Sequence, residues 1–226
     1  MSAKKGLQKH GDRAAAAILR EFVQLHDMKV FEGICKTKLT PSQIRSALRL
    51  VTVIKEKRDG SLKGRTCADG RPQRAYIPKE ETSSPAVAVE NLLATFAIDA
   101  LEDRNVATAD VSGAFLHGVM DDFVLVRLSE EEAQALMTVD PGYKKFAVVE
   151  KGRITMFLRL KKALYGTLKV ALIWYRTFTE VLENLGFVLN RYDKITVWRI
   201  WRSRGAKLRY YGMWMTRKCL IRIQRW

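Results

Sequence analysis

The chain is 226 residues long and carries 40 Lys and Arg against 24 Asp and Glu, a net charge of +16 at neutral pH. That length suffices for one large domain or two small lobes, each with a real core. No apolar run is long enough to span a bilayer and Met1-Ser-Ala-Lys-Lys-Gly6 does not open a signal peptide, so no membrane partner is expected. Cys35, Cys67 and Cys219 are too widely spaced for a zinc site or a disulfide framework.

Asp12 to Leu25 has an acid at its start and Ile18, Phe22 and Leu25 on one stripe, the pattern of an amphipathic helix. Thr40 to Leu50 reads as a second helix, with Thr40 as cap and Pro41 at the first position, where its missing N–H does no harm. Lys57-Arg-Asp-Gly60 is a hairpin turn in which Asp-Gly supplies positive φ between strands Val51–Glu56 and Leu62–Cys67. An apolar helix is expected over Val87–Ala100 and strands over Asn105–Asp110, Val124–Leu128 and Ile154–Leu160. A helix over Ala171–Leu185 follows, closed by Gly186. This mixed order belongs to the α+β class and not to a doubly wound sheet.

Four segments carry chemistry. In Ala107-Thr-Ala-Asp-Val-Ser-Gly-Ala-Phe-Leu-His-Gly118, Asp110 follows a short run of apolar and β-branched residues and precedes small residues and an aromatic. A metal-binding carboxylate is presented at a strand end in this way, although a lone Asp there is more often a cap or a solvated residue. The others are Lys57-Arg-Asp-Gly-Ser-Leu-Lys-Gly-Arg-Thr-Cys-Ala-Asp-Gly-Arg71, Glu80-Glu-Thr-Ser-Ser-Pro85 and Lys161-Lys-Ala-Leu-Tyr-Gly-Thr-Leu-Lys-Val-Ala-Leu-Ile-Trp-Tyr175. In order and spacing, from Val51 to Asp193, the four resemble the reverse transcriptase domain of copia-type retrotransposon polyproteins.

The resemblance implies a partial right-hand polymerase fold, with fingers and an incomplete palm. It also implies RNA-directed DNA synthesis, in which a primer 3′-hydroxyl attacks a nucleotide α-phosphate between two Mg²⁺ ions. It casts Asp110 as the first catalytic, metal-binding carboxylate and places the Val111 backbone near the incoming triphosphate. Phe115 would lie under the nucleotide sugar as a gate against a 2′-hydroxyl, with an ordinary core aromatic as an equal reading. Tyr165 and Gly166 would belong to the nucleotide pocket, where close backbone approach suits Gly. Arg65 is expected to grip a phosphate, while Lys63 and Arg71 stay open between phosphate contact and a solvated basic hairpin. The family usually has Gln then Ser where this chain has Lys169 and Val170; Trp174 and Tyr175 resume the pattern as core. The implied partners are an RNA/DNA template-primer, dNTPs and other retrotransposon polyprotein products. An intact member would sit in a cytoplasmic, virus-like particle. Asp121 and Asp122 are adjacent but read as a solvated turn, and His10, His26 and His117 stand apart from any acid–nucleophile set.

Ile195 to Trp226 differs in kind, with nine Lys or Arg, no Asp or Glu and four of the five Trp, leaving only +7 of the net charge to the first 194 residues. The resemblance calls for a hairpin here whose turn carries a hydrophobic residue and two aspartates, and no Asp-Asp follows Asp193. Tyr211-Gly-Met-Trp-Met-Thr216 must be encoded TAY GGN ATG TGG ATG ACN. Reading one nucleotide earlier gives YGG, NAT, GTG, GAT, GAC, whose last three codons are Val-Asp-Asp. A frame change near the codons for Lys194 to Val197 would produce the observed chain.

Three parts are therefore expected: 1–38, a polyprotein connector with a helix; 39–194, fingers and partial palm; and 195–226, an out-of-frame, irregular basic tail that leaves a strand edge open beside Asp110. Asp110 alone cannot hold two Mg²⁺, which want near-octahedral oxygen ligation, so the fragment is expected to be inactive. One alternative is an active polymerase, if the frame break is an error or is bypassed by slippage. The other is a non-catalytic nucleic-acid binder, with tail arginines neutralising phosphates and Trp198, Trp201, Trp214 and Trp226 stacking on bases.

Overall fold

The computed structural model describes residues 1–85, 89–103, 105–189, 196–203, 206–215 and 218–224; in 92, 95, 105–109 and the last three strands the description is of the backbone. In chain order the elements are α1 (Ala3–His10), α2 (Asp12–Asp27), β1 (Phe31–Gly33), α3 (Pro41–Ser46), β2 (Leu48–Glu56), β3 (Leu62–Ala68), α4 (Val89–Leu101) and β4 (Asn105–Ala109). They continue as β5 (Leu125–Leu128), α5 (Glu130–Val139), β6 (Ala147–Glu150), β7 (Arg153–Leu160), α6 (Val170–Asn184), β8 (Val188–Leu189), β9 (Thr196–Ser203), β10 (Ala206–Met215) and β11 (Lys218–Gln224). The class is α+β, and no helix among the described residues is long and apolar enough to cross a membrane.

One compact unit comprises Met1–Thr82 and Phe115–Ile173. Its sheet runs β1-β7-β5-β2-β3, with β6 also on β7, and β2 with β5 is its one parallel pair, Leu48 opposite Val126. The helix α2 lays Ala14, Ala17, Ile18, Phe22 and Leu25 into the core, which accounts for the stripe in the sequence. It comes so close to β3 that a Cβ at Gly64 would stand 2.7 Å from the Ala17 carbonyl oxygen. The first residues are stitched into the same unit: the Met1 amino group donates to Ile54 O at 2.9 Å, and Ile54 N donates to Met1 O at 2.8 Å.

Helix α3 stops at Ser46, short of the Leu50 expected for it. From Leu48 onward Leu48, Leu50, Thr52 and Ile54 are buried and alternate with more exposed residues, so the period of two that serves a sheet overrides the helical reading. In the β2–β3 turn Gly60 alone of the Asp-Gly pair takes positive φ, +75°. Asp59 instead accepts from Ser61 N at 2.9 Å and Ser61 Oγ at 2.6 Å. Strands β1 and β6 and helix α5 are additions to the expected elements. A capping box starts α5, and its Glu132 carboxylate, 2 % exposed, accepts from Ser129 N (2.9 Å), Thr52 N (2.8 Å) and Thr52 Oγ1 (3.0 Å). Burial pushes this carboxyl above its usual value against the pull of those bonds.

The second unit comprises Ser83–Ala114 and Trp174–Trp226. Helix α6 ends as expected, with Gly186 at φ +81° and Phe187 N donating to Leu182 O at 2.9 Å. The sheet order is β4-β11-β10-β9-β8, antiparallel throughout. Two expectations are corrected here. The segment after residue 195 is three strands where irregular chain was expected, and β4 pairs with β11 through Cys219–Ile223 where an open edge was expected. The physical reason lies in composition: Thr196-Val-Trp-Arg-Ile-Trp and Cys219-Leu-Ile-Arg-Ile are dense in β-branched and aromatic residues. Pairing also satisfies backbone groups that an open edge would leave bare.

Candidate nucleotide and metal site

Asp110 is exposed and directly follows the last residue of β4. β11 runs antiparallel to β4 with Cys219 opposite Ala109, so the start of β11 lies at the Asp110 end of β4. β10 closes on Met215 and β11 opens on Lys218, with Thr216 and Arg217 between them in sequence. No Asp or Glu occurs anywhere from Ile195 to Trp226, so this hairpin brings no carboxylate to Asp110. Among the described residues no group of three or more His, Cys, Asp or Glu could hold a metal ion. Two-metal catalysis needs several anchoring oxygens, and the donor set here does not fit the Mg²⁺ pair implied by the resemblance. Val111, half-buried, accepts at its carbonyl from Ala114 N at 3.2 Å.

Phe115, Tyr165 and Gly166 belong to the first unit, and that unit brings them together. The Phe115 and Tyr165 rings lie 4.8 Å apart between centroids, tilted by 58°, each half-buried. The chain after Phe115 is tied to the chain before Tyr165, Met120 N donating to Lys161 O (3.0 Å) and Ala163 N to Gly118 O (2.9 Å). The Tyr165 carbonyl accepts from Ala68 N at 2.7 Å. Gly166 sits at φ +91°, and a Cβ there would run into the Ala68 carbonyl oxygen, while one on Gly70 would run into the Gly166 carbonyl. The close backbone approach expected at Gly166 is therefore present, and its partner is the end of β3.

Lys63 and Arg65 are exposed and alternate with buried Leu62, Gly64 and Thr66 on β3. Lys55 on β2 stands opposite Lys63, and Val53 opposite Arg65. Directly opposed like charges cost a sheet some stability, and an anion over this face would relieve that cost. On the neighbouring helix, Glu21 accepts from Thr66 N at 2.8 Å; burial raises its carboxyl, opposed by that bond and by the charges of Lys63 and Arg65. Arg71 is placed differently, with its fork on Asp69 (Nε to Oδ1 2.8 Å, Nη2 to Oδ2 2.6 Å), which holds the Asp69 carboxyl down at about 2. Its bidentate face is committed to that carboxylate.

Sequence reasoning missed the clamp behind Tyr165. Lys169 Nζ lies 2.7 Å from Glu81 Oε2 and 2.8 Å from Asp122 Oδ2, with its side chain only 16 % exposed. The two carboxylates hold the ammonium well above the usual lysine range. Asp122, expected in a solvated turn, is thus half of an ion-paired bridge. A cavity of about 420 Å³ adjoins it, walled by Tyr76, Pro78, Phe123 and buried Gln73. Gln73 Oε1 accepts from Leu168 N at 2.9 Å, a contact between residues 95 apart that no local pattern announces.

Residues 39–196 match a family model described as reverse transcriptase (RNA-dependent DNA polymerase). Among curated proteins the chain is similar to the retrovirus-related Pol polyproteins from transposons RE2 and RE1 of Arabidopsis thaliana. It is 28 % identical to the first over 151 residues and 29 % to the second over 143, or 66 % and 62 % of the chain and 9 % of each polyprotein. Similarity to the Pol polyprotein from transposon TNT 1-94 of Nicotiana tabacum is 27 % over 142 residues, 61 % of the chain and 10 % of that protein. The chain thus spans about a tenth of the length of these relatives. Since the family match takes in well over half of its residues, the chain belongs to the reverse transcriptase family, as a fragment of the copia-type retrotransposon Pol polyprotein kind.

Proposed function

We propose that this chain is a catalytically inactive reverse transcriptase fragment, the first unit corresponding to fingers and the second to an incomplete palm. The single observation that carries this reading is the acid-free hairpin paired with the strand that presents Asp110. The end of the family match at residue 196 supports a frame change at that point. In the frame one base earlier the two aspartates fall at codon positions 215 and 216, the last residue of β10 and the first beyond it.

Among the described residues Asp110 has no partner acid with which to seat the Mg²⁺ pair of the intact family, so nothing there activates a primer hydroxyl or stabilises departing pyrophosphate. Purified protein is expected to show no RNA-directed DNA synthesis; primer extension abolished by Asp110→Asn would overturn this. Genomic DNA and transcript sequenced across the codons for Tyr192 to Thr216 would separate a real break from an error, in which case Asp110 belongs to a working site.

Binding needs less than chemistry. Phe115, Tyr165 and Gly166 are read as a nucleotide subsite for dNTPs, aided by the Val111 backbone in an intact site. Arg65 and Lys63 are read as phosphate contacts along a template-primer. The observation favouring a surviving nucleic-acid-binding role is the outward face of β2 and β3, where Arg49, Lys55, Lys63 and Arg65 are all exposed. Counterion release from such a face gives affinity that falls steeply with salt.

A further inference from the structure

The turn that carries Tyr165 and Gly166 has little regular structure of its own and is held by ties from the end of β3 and the chain that follows it. Ala68 N donates to the Tyr165 carbonyl, Gly70 packs on the Gly166 carbonyl, and Glu81 pairs with Lys169. The fourth tie is Gln73, in the single 3-10 turn Arg71–Ala75, which is 2 % exposed and accepts the Leu168 N–H at 2.9 Å. The Glu81–Lys169 pair acts one residue beyond Leu168 and on a side chain, whereas Gln73 holds the backbone of Leu168 itself, and removing a buried amide acceptor strands its donor.

We propose that Gln73 is a positioning residue for the nucleotide subsite: by holding Leu168 it sets the Tyr165–Gly166 turn so that the Tyr165 ring meets Phe115 and forms one wall of the subsite. The subsite half of this rests on the nucleotide reading of Phe115 and Tyr165 given above; the link from Gln73 to the ring pair does not. Leu168 is three residues from Tyr165, and Thr167 Oγ1 donates to Leu164 O at 2.8 Å, so the turn between them is short and closed. A shift of Leu168 therefore has no slack segment in which to dissipate.

The test uses the full chain with ring-labelled Phe and Tyr, following the nuclear Overhauser contact between the Phe115 and Tyr165 rings, assigned with Phe115→Leu and Tyr165→Leu. Gln73→Leu removes the acceptor and Gln73→Asn withdraws it by one methylene, while Gln73→Glu keeps an acceptor oxygen in place. The ring contact is expected to be lost in Gln73→Leu and Gln73→Asn and kept in Gln73→Glu. The milder Asn variant serves if the Leu variant fails to fold. In parallel, dATP should move the Tyr165 ring signals of wild type and Gln73→Glu, with affinity weakened about tenfold or more in Gln73→Asn. A ring contact indifferent to Gln73 in a folded variant overturns the positioning role. Wild-type ring signals unmoved by dATP overturn the nucleotide reading, and these two failures are separately visible.

Discussion

Gly60 and Gly166 both take positive φ, +75° and +91°, yet they should respond to the same substitution very differently. At Gly60 nothing lies within 4 Å of an added Cβ, so Gly60→Ala costs only the left-handed backbone, about 1–2 kcal/mol. At Gly166 the Cβ would collide with the Ala68 carbonyl, and because backbone stands on both sides no rotamer change relieves the contact. Relief requires opening the 2.7 Å bond from Ala68 N to Tyr165 O, and Ala68 is buried. An unsatisfied buried N–H adds about 1–3 kcal/mol. Gly166→Ala is therefore expected to lose about 2–5 kcal/mol, a large share of the roughly 5–15 kcal/mol that holds a typical domain folded. Urea unfolding followed by far-ultraviolet circular dichroism on both variants gives the comparison. A difference between them of less than about 1 kcal/mol would refute the close-approach argument and leave Gly166 a turn residue like any other.

Glu132→Ala strands the Thr52 and Ser129 N–H groups and should cost about 2–4 kcal/mol at pH 5. Because burial raises the Glu132 carboxyl in the folded state, its contribution is full below the ordinary value of 4.5 and shrinks as pH rises through the folded value; the deficit of the Ala variant should be smaller at pH 8 than at pH 5, and a larger one would contradict the assignment. Asp69 is depressed to about 2 mainly by its bonds from Arg71, so whatever it contributes is present above its ordinary 3.8 and lost as pH falls toward 2. Arg71→Ala should return the Asp69 titration, read by carbon-detected NMR, close to 3.8. For single-stranded RNA, Arg65→Ala should reduce the slope of log affinity against log salt by about 0.7, and an unchanged slope would remove Arg65 from the phosphate contacts. Asp110 is exposed, so Asp110→Asn should change unfolding by no more than about 0.5 kcal/mol.

Elements with a clear local signal were legible in the sequence: α2 by its stripe, β7 by its apolar run, α6 by its closing Gly186. The misreading at α3 arose because Leu48 and Leu50 fit a helix in isolation, and only their pairing with β5 and β3 makes the alternation decisive. Ser129-Glu-Glu-Glu132 does carry a readable capping box, so α5 was available from local signals. Asp110, Phe115, Tyr165 and Gly166 came to attention through family resemblance, and the first unit joins the last three into one locality. Gln73 was not legible, since an acceptor and donor 95 residues apart leave no mark in either neighbourhood. Lys169 stood out as a departure from the family pattern, and the structure gives that departure a role in bridging Glu81 and Asp122.

The two demands that meet at Asp110 differ in how much sequence they need. A strand in a sheet asks for extended backbone, apolar or β-branched residues and a neighbour with open hydrogen-bonding groups, and very many sequences satisfy it. Residues 218–224 do so along β10 and along β4, although nothing in their composition belongs to a polymerase palm. A two-metal site asks for carboxylate oxygens at particular places, and no strand propensity supplies them. On the proposed frame change, codons that would read Asp-Asp are read here as parts of Trp214, Met215 and Thr216, with Arg217 and Lys218 following. The sheet survives that exchange because its requirement is statistical. On the same proposal the chemistry does not, because its requirement is atomic, and two carboxylates are exchanged while the strand that presents Asp110 stays paired.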